Sequence, residues 1–95
     1  MTKEITQLKK QMLPTLKKFK VGKSFIFGST SRGEARAKSD IDLLVTMPNG
    51  ASLFTLISLQ QQLEDLVKRP VDIVTPGGLD KTLKKRITPD LVRIL

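Results

Sequence analysis

The segment Asp40-Ile41-Asp42-Leu43-Leu44-Val45-Thr46 constrains the fold more than any other stretch of the chain. Successive side chains of a strand alternate between faces, so Ile41, Leu43 and Val45 share one face while Asp40 and Asp42 share the other. The apolar face has to be covered by the rest of the molecule. The acidic face resists cover, because two carboxylates held side by side repel unless a cation neutralises them. A third acid has the same setting in Val71-Asp72-Ile73-Val74, where β-branched neighbours point away from Asp72. Asp is depleted from strand interiors, so three in two short strands call for an explanation. One explanation is structural: pairing with Arg36, Lys38 or Arg69 near the strand ends. The other is chemical: oxygen ligands for a hard metal ion.

Around these strands the chain reads as alternating elements. Ile5, Leu8, Met12, Leu16 and Phe19 form one helical stripe, which Pro14 is expected to kink or restart, and Val21-Gly22 ends it. Ser24 to Phe27 is a β-prone run, and Thr30 to Lys38 is polar with room for one helical turn. After the turn Pro48-Asn49-Gly50, Ser52 caps a helix whose buried stripe is Leu56, Leu59, Leu63 and Leu66. Val71 to Val74 is the third strand, Pro76-Gly77-Gly78 a break and Leu79 to Ile87 a helix. Thr88-Pro89, a cap followed by Pro at the first helical position, predicts a last helix ending at Leu95. Its apolar stripe of Leu83, Ile87, Leu91, Ile94 and Leu95 either packs on the sheet or serves as a docking face. The pattern is an α/β chain of one domain, residues 1–95, with three or more strands and helices packed on them.

Composition narrows the chemistry. The 95 residues include no Cys, His, Trp or Tyr, which removes thiolate and imidazole chemistry, zinc fingers and histidine-ligated metals. Any metal must be a hard cation held by oxygen. The net charge of +8 is uneven. Residues 1–23 carry seven lysines against Glu4, residues 75–95 carry five cations against two acids, and the centre is close to neutral. Basic flanks suit a solvated helix face or the steering of an anion such as a nucleotide or RNA. Single-strand nucleic-acid binders offer aromatic stacking platforms. Here Phe19, Phe25, Phe27 and Phe54 all sit in apolar patterns that read as core, so nucleic acid is not the favoured partner. Apolar runs are too short to cross a bilayer and the start lacks a signal-peptide pattern, so the expected location is cytoplasmic and off the membrane.

Gly28-Ser29 stands directly after the first strand, twelve residues before Asp40. Gly lets backbone N–H groups approach a phosphate, the Ser hydroxyl adds a donor, and Arg32 and Gly33 follow in the same loop. Gly28-Ser29, ten intervening residues and Asp40-Ile41-Asp42 resemble the signature of minimal nucleotidyltransferases of the DNA polymerase beta superfamily. The run FGSTSRGEARAKSDIDLLV, residues 27–45, is similar to their central motif almost without gaps, and Asp72 in RPVDIV falls at their third acid.

The resemblance implies a nucleotidyltransferase fold with a small mixed sheet. It implies that Asp40 and Asp42 ligate two Mg²⁺ ions, while Asp72 holds the acceptor-side metal and helps take up the acceptor's proton. Gly28 and Ser29, with Arg32 a weaker candidate, would hold the β- and γ-phosphates of ATP. Similar minimal proteins act as antitoxins that adenylylate a tyrosine of a HEPN-domain toxin, which implies a hetero-oligomer with that partner. A chain without an acceptor-binding domain of its own fits that setting. Having no tyrosine, this sequence cannot be its own tyrosine acceptor. Two other functions fit the residues: a non-catalytic module that neutralises its partner by occlusion, and an RNA nucleotidyltransferase subunit using the basic ends.

Overall fold

Helix α1, Lys3–Lys18, forms because Ile5, Leu8, Met12 and Leu16 fall on one face, and all four are buried. The computed structural model describes residues 3–28, 30–32 and 40–95. Pro14 lies inside α1, which runs through as one element instead of restarting. Its ring is on the exposed face, where the Lys10 carbonyl it leaves unbonded can be hydrated. The helix ends in a left-handed turn at Lys20 (φ 59°). Val21 N–H reaches back to Leu16 C=O and Lys20 N–H to Lys17 C=O, the double bond pattern that closes helix C-termini.

Strand β1 (Lys23–Phe27) pairs antiparallel with β2 (Ile41–Thr46), which pairs in parallel with β3 (Val71–Val74). The parallel step needs a crossover, supplied by α2 (Leu53–Val67). Ser52 caps α2 as expected: its hydroxyl accepts from Thr55 N–H while the Thr55 hydroxyl accepts from Ser52 N–H. At the other end Lys68 turns left-handed (φ 57°) ahead of Arg69-Pro70. The helical turn expected in the polar stretch from Thr30 falls mostly on residues 33–38, outside the described ones. Among the described residues, no helix is long and apolar enough to cross a membrane.

The expected C-terminal helix is not formed. A short helix α3, Lys81–Ile87, is capped by Asp80 and followed by a single 3-10 turn, Thr88–Asp90. The chain then extends into β4, Val92–Arg93, antiparallel to β1. Helix geometry at the end would leave the outer edge of β1 unpaired. The extended course lets Ser24 donate to Leu95 C=O and accept from the N–H groups of Ile94 and Leu95. The sheet order is β3-β2-β1-β4.

The larger apolar cluster lies between the sheet and the α1/α2 layer and contains Ile26, Ile41, Leu43, Val45, Val71 and Ile94. On the opposite face Phe27, Leu44 and Ile87 form a smaller one, with Leu83 and Leu91 against it. The C-terminal apolar residues are thus divided between the two faces, which a single helical stripe could not achieve. Two expected core residues of α2 are exposed. Phe54 is 83% accessible because it lies about 140° around the helix from Leu59, at ~100° per residue. Leu66 has the right phase but sits in the last turn, outside the apolar cluster, and is 44% accessible.

Ile94 is 2% accessible. Its replacement by Ala is expected to cost about 2–5 kcal/mol in denaturant unfolding. Phe54→Ala should stay within about 0.5 kcal/mol of wild type. Equal losses for the two would contradict the packing of the C-terminal strand.

Candidate active site

The sheet register brings the acids together. In the parallel ladder Asp42 stands opposite Asp72, and in the antiparallel ladder it stands opposite Phe27, the residue before Gly28. Asp40 lies exposed immediately before β2. Burial of Val71 and Ile41 on the helical face directs Asp42 and Asp72 to the opposite face. Arg69, one of the cations considered as a partner for these acids, pairs instead with Glu4 at 2.7 Å. Arg36 and Lys38 lie outside the described residues.

Asp42 is half-buried, and its pKa is raised above the ordinary carboxylate value. Desolvation is the largest cause, followed by the negative charges of Asp72 and then Asp40, while Arg32 acts in the opposite direction. The group is therefore short of positive charge. Among the described residues no three acids are gathered into a cage that would hold an ion alone. Asp42 and Asp72 form a facing pair with Asp40 at the strand entrance. That donor set suits Mg²⁺, which typically takes one or two carboxylates and completes its octahedron with water and substrate phosphates.

Gly28 closes the site from the β1 side. It adopts φ +77°, and a Cβ placed there would press into the Asp42 carboxylate. Both its conformation and its contact require a residue without a side chain. The loop that follows is held from two directions. Thr30, buried, accepts a bond from Arg69, which joins it to Glu4 of α1. Arg32 N–H donates to Gly28 C=O, its guanidinium meets the Asp90 carboxylate at 2.6 Å, and the Ser31 hydroxyl donates to Asp90 C=O. Ser29, the expected phosphate-binding hydroxyl, lies outside the described residues.

A cleft of about 230 Å³ opens beside Gly28, lined by Phe27, Arg32, Leu83, Arg86, Ile87 and Asp90. A larger hollow of about 330 Å³ is lined by Lys3, Thr6, Gln7 and Lys10 on α1, with no carboxylate in its lining. Asp40, Asp42 and Asp72 do not line the smaller cleft, but Gly28 does and abuts Asp42, which makes this cleft the chemically relevant one. The sequence reading missed Asp90, Thr30 and Arg86. Asp90 meets Arg32 across 58 residues, a separation for which no local pattern exists.

Gly28→Ala is expected to destabilise the fold by about 1–3 kcal/mol, the scale of a non-glycine residue forced to positive φ. Asp42→Asn should do the reverse. A raised folded-state pKa means the folded chain binds the proton more readily than the unfolded one, so the ionised carboxylate weakens the fold at neutral pH. Thermal unfolding without metal should show a higher midpoint for Asp42→Asn than for wild type at pH 7.5. The difference should narrow as pH falls through the raised pKa, where the wild-type side chain also becomes neutral.

Comparison with known proteins shows the family to which the chain belongs. The family model of the nucleotidyltransferase domain matches residues 8–94. A Methanocaldococcus jannaschii relative, named as a proposed protein adenylyltransferase, is 37% identical over 91 residues, spanning 96% of this chain and 98% of its own. The protein adenylyltransferase MntA of Thermococcus cleftensis is 35% identical over 77 residues, 81% of this chain and 78% of that one. A solved structure of a proposed minimal nucleotidyltransferase superposes with a TM-score of 0.80 at 31% identity, covering 94% of this chain and 91% of the other. The fold also occurs in a tri-AMPylated Shewanella oneidensis HEPN toxin in complex with an MNT antitoxin, with a TM-score of 0.73 at 18% identity, covering 95% and 71%. A family match over nearly the whole chain, carried by relatives sharing more than a third of its residues, places this protein in the nucleotidyltransferase domain family.

Proposed function

We propose that the chain transfers AMP from ATP to a hydroxyl of a partner protein, a tyrosine of a HEPN-domain toxin, and acts as that toxin's antitoxin. The observation that carries this reading is the Asp42–Asp72 pair facing one another beside a side-chain-free Gly28. The T. cleftensis relative's name and the AMPylated toxin complex that shares the fold support the acceptor class.

Asp40 and Asp42 would hold two Mg²⁺ ions, with Asp72 holding the acceptor-side one. When bound, the metal supplies charge neutralisation and polarises phosphate oxygens. The backbone at Gly28, the Ser29 hydroxyl and the Arg32 guanidinium would grip the terminal phosphates. With the nucleotide so held, the acceptor oxygen attacks the α-phosphorus as the bond to the α,β-bridging oxygen breaks. Pyrophosphate leaves with the electron pair. Asp72, exposed at the edge strand, takes the acceptor's proton and passes it to solvent. The chain's own contribution is positioning and electrostatics, the terms that dominate phosphoryl-type transfer.

Co-expression with the HEPN-domain toxin followed by intact mass spectrometry should show whole adenylyl additions on the toxin. Asp40→Asn with Asp42→Asn should reduce the transfer rate by about 10³-fold or more, equivalent to about 4 kcal/mol of transition-state stabilisation. If the double variant neutralises the toxin as well as wild type does, with no adenylyl group attached, neutralisation is by occlusion and the catalytic reading fails.

A further inference from the structure

The acids account for one side of Gly28; the cleft accounts for the other. Three cations crowd the last turn of α3, Lys84, Lys85 and Arg86, and only Arg86 lines the cleft. It shares that lining with Arg32 from the loop after β1, over a floor of Phe27, Leu83 and Ile87. Asp90, the one acid in the lining among the described residues, is engaged by Arg32 through its carboxylate and by Ser31 through its carbonyl. Among the described residues no carboxylate lies within ion-pair distance of Arg86.

Arg32 already has the Asp90 carboxylate as its counter-charge, so Arg86 is the cation that leaves this small space in need of an anion. The arrangement mirrors the acid pair, which lacks a cation. Gly28 is the wall between the two, in contact with Asp42 on one side and lining the cleft on the other. One ligand satisfies both deficits: a metal-bound polyphosphate whose reacting end lies at the acids and whose terminal end lies among the arginines.

We infer that this cleft receives the β- and γ-phosphates of the nucleotide and that Arg86 is a binding residue for them and for the pyrophosphate they become. The inference rests on the nucleotidyl-transfer reading above and adds to it a residue some fifty positions beyond the phosphate loop, which no motif marks. As the bond to the α-phosphorus breaks, negative charge grows on the departing pyrophosphate. A guanidinium beside it gains interaction energy in the transition state as well as in the ground state. An adenine seated on the apolar floor is the competing occupant. Arg86 favours phosphate, since a neutral base leaves its guanidinium without a counter-charge.

Isothermal titration of the full chain with Mg²⁺ and, separately, ATP, tripolyphosphate and AMP separates these cases. Arg86 is exposed, so Arg86→Gln and Arg86→Lys should fold as wild type does. Arg86→Gln should weaken ATP and tripolyphosphate about tenfold, the scale of one charge-assisted hydrogen bond, and leave AMP unchanged. Arg86→Lys should recover part of the loss. In adenylylation assays Arg86→Gln should lower kcat in addition to raising the KM for ATP. Unchanged tripolyphosphate binding in Arg86→Gln, or an equal loss for AMP, overturns the assignment while leaving nucleotidyl transfer intact. A wild-type chain that binds none of the three overturns both.

Discussion

The candidate site depends on two carboxylates being forced to face each other. Asp42 and Asp72 sit opposite in a parallel ladder, an arrangement that opposes folding through like-charge repulsion and partial burial of Asp42. It persists because the same two strands place Ile41, Leu43 and Val71 in the main apolar cluster. Each fully buried aliphatic side chain contributes about 1.5–3 kcal/mol. Several of them outweigh one strained acid pair. The helical face stabilises the fold, and the other face can then hold charges in positions they would not adopt unaided.

The loop after β1 is governed by the same division of labour. It has little apolar surface of its own, and it is tied down from both edges of the sheet. Arg69, in the connection that leads into the edge strand β3, holds Thr30 and reaches Glu4. Asp90, in the turn that leads into the other edge strand β4, holds Ser31 and Arg32. These bonds fix where Gly28 meets Asp42 and where Arg32 points. The far ends of the chain are therefore part of the site's scaffold, although neither carries an acid of the central motif.

Features set by local periodicity were legible in the sequence. The alternation around Asp42 and Asp72, the α1 stripe, the Ser52 cap and the strands β1, β2 and β3 all follow from the residues themselves. Legible too was the importance of Gly28, although its reason turned out to be sharper than phosphate access: a side chain there would collide with Asp42. Features set by long-range pairing were not legible. Thr88-Pro89 is a sound helix start, but the unpaired edge of β1 competes for the residues after it and wins. Phe54 looks like core in one dimension and lies on the far side of α2 in three. Asp90 and Arg86 have no spacing rule that connects them to a loop near residue 30.

Register is the step at which packing decides chemistry. Side chains on β3 alternate with a period of two, so a slip of one residue would turn Asp72 into the helical face toward Leu59 and Leu63 and expose Val71. The α2 side chains guard against that slip as well. Gln60 donates to Val71 C=O and the Glu64 carboxylate accepts from Val71 N–H, both on the outer edge of the strand. The position of the third acid is thus enforced by one buried valine and two polar side chains of a helix on the opposite face. None of the three lies on the acidic face of the sheet. Their energetic preference is nonetheless what makes the carboxylate pair a reproducible structure instead of one register among several.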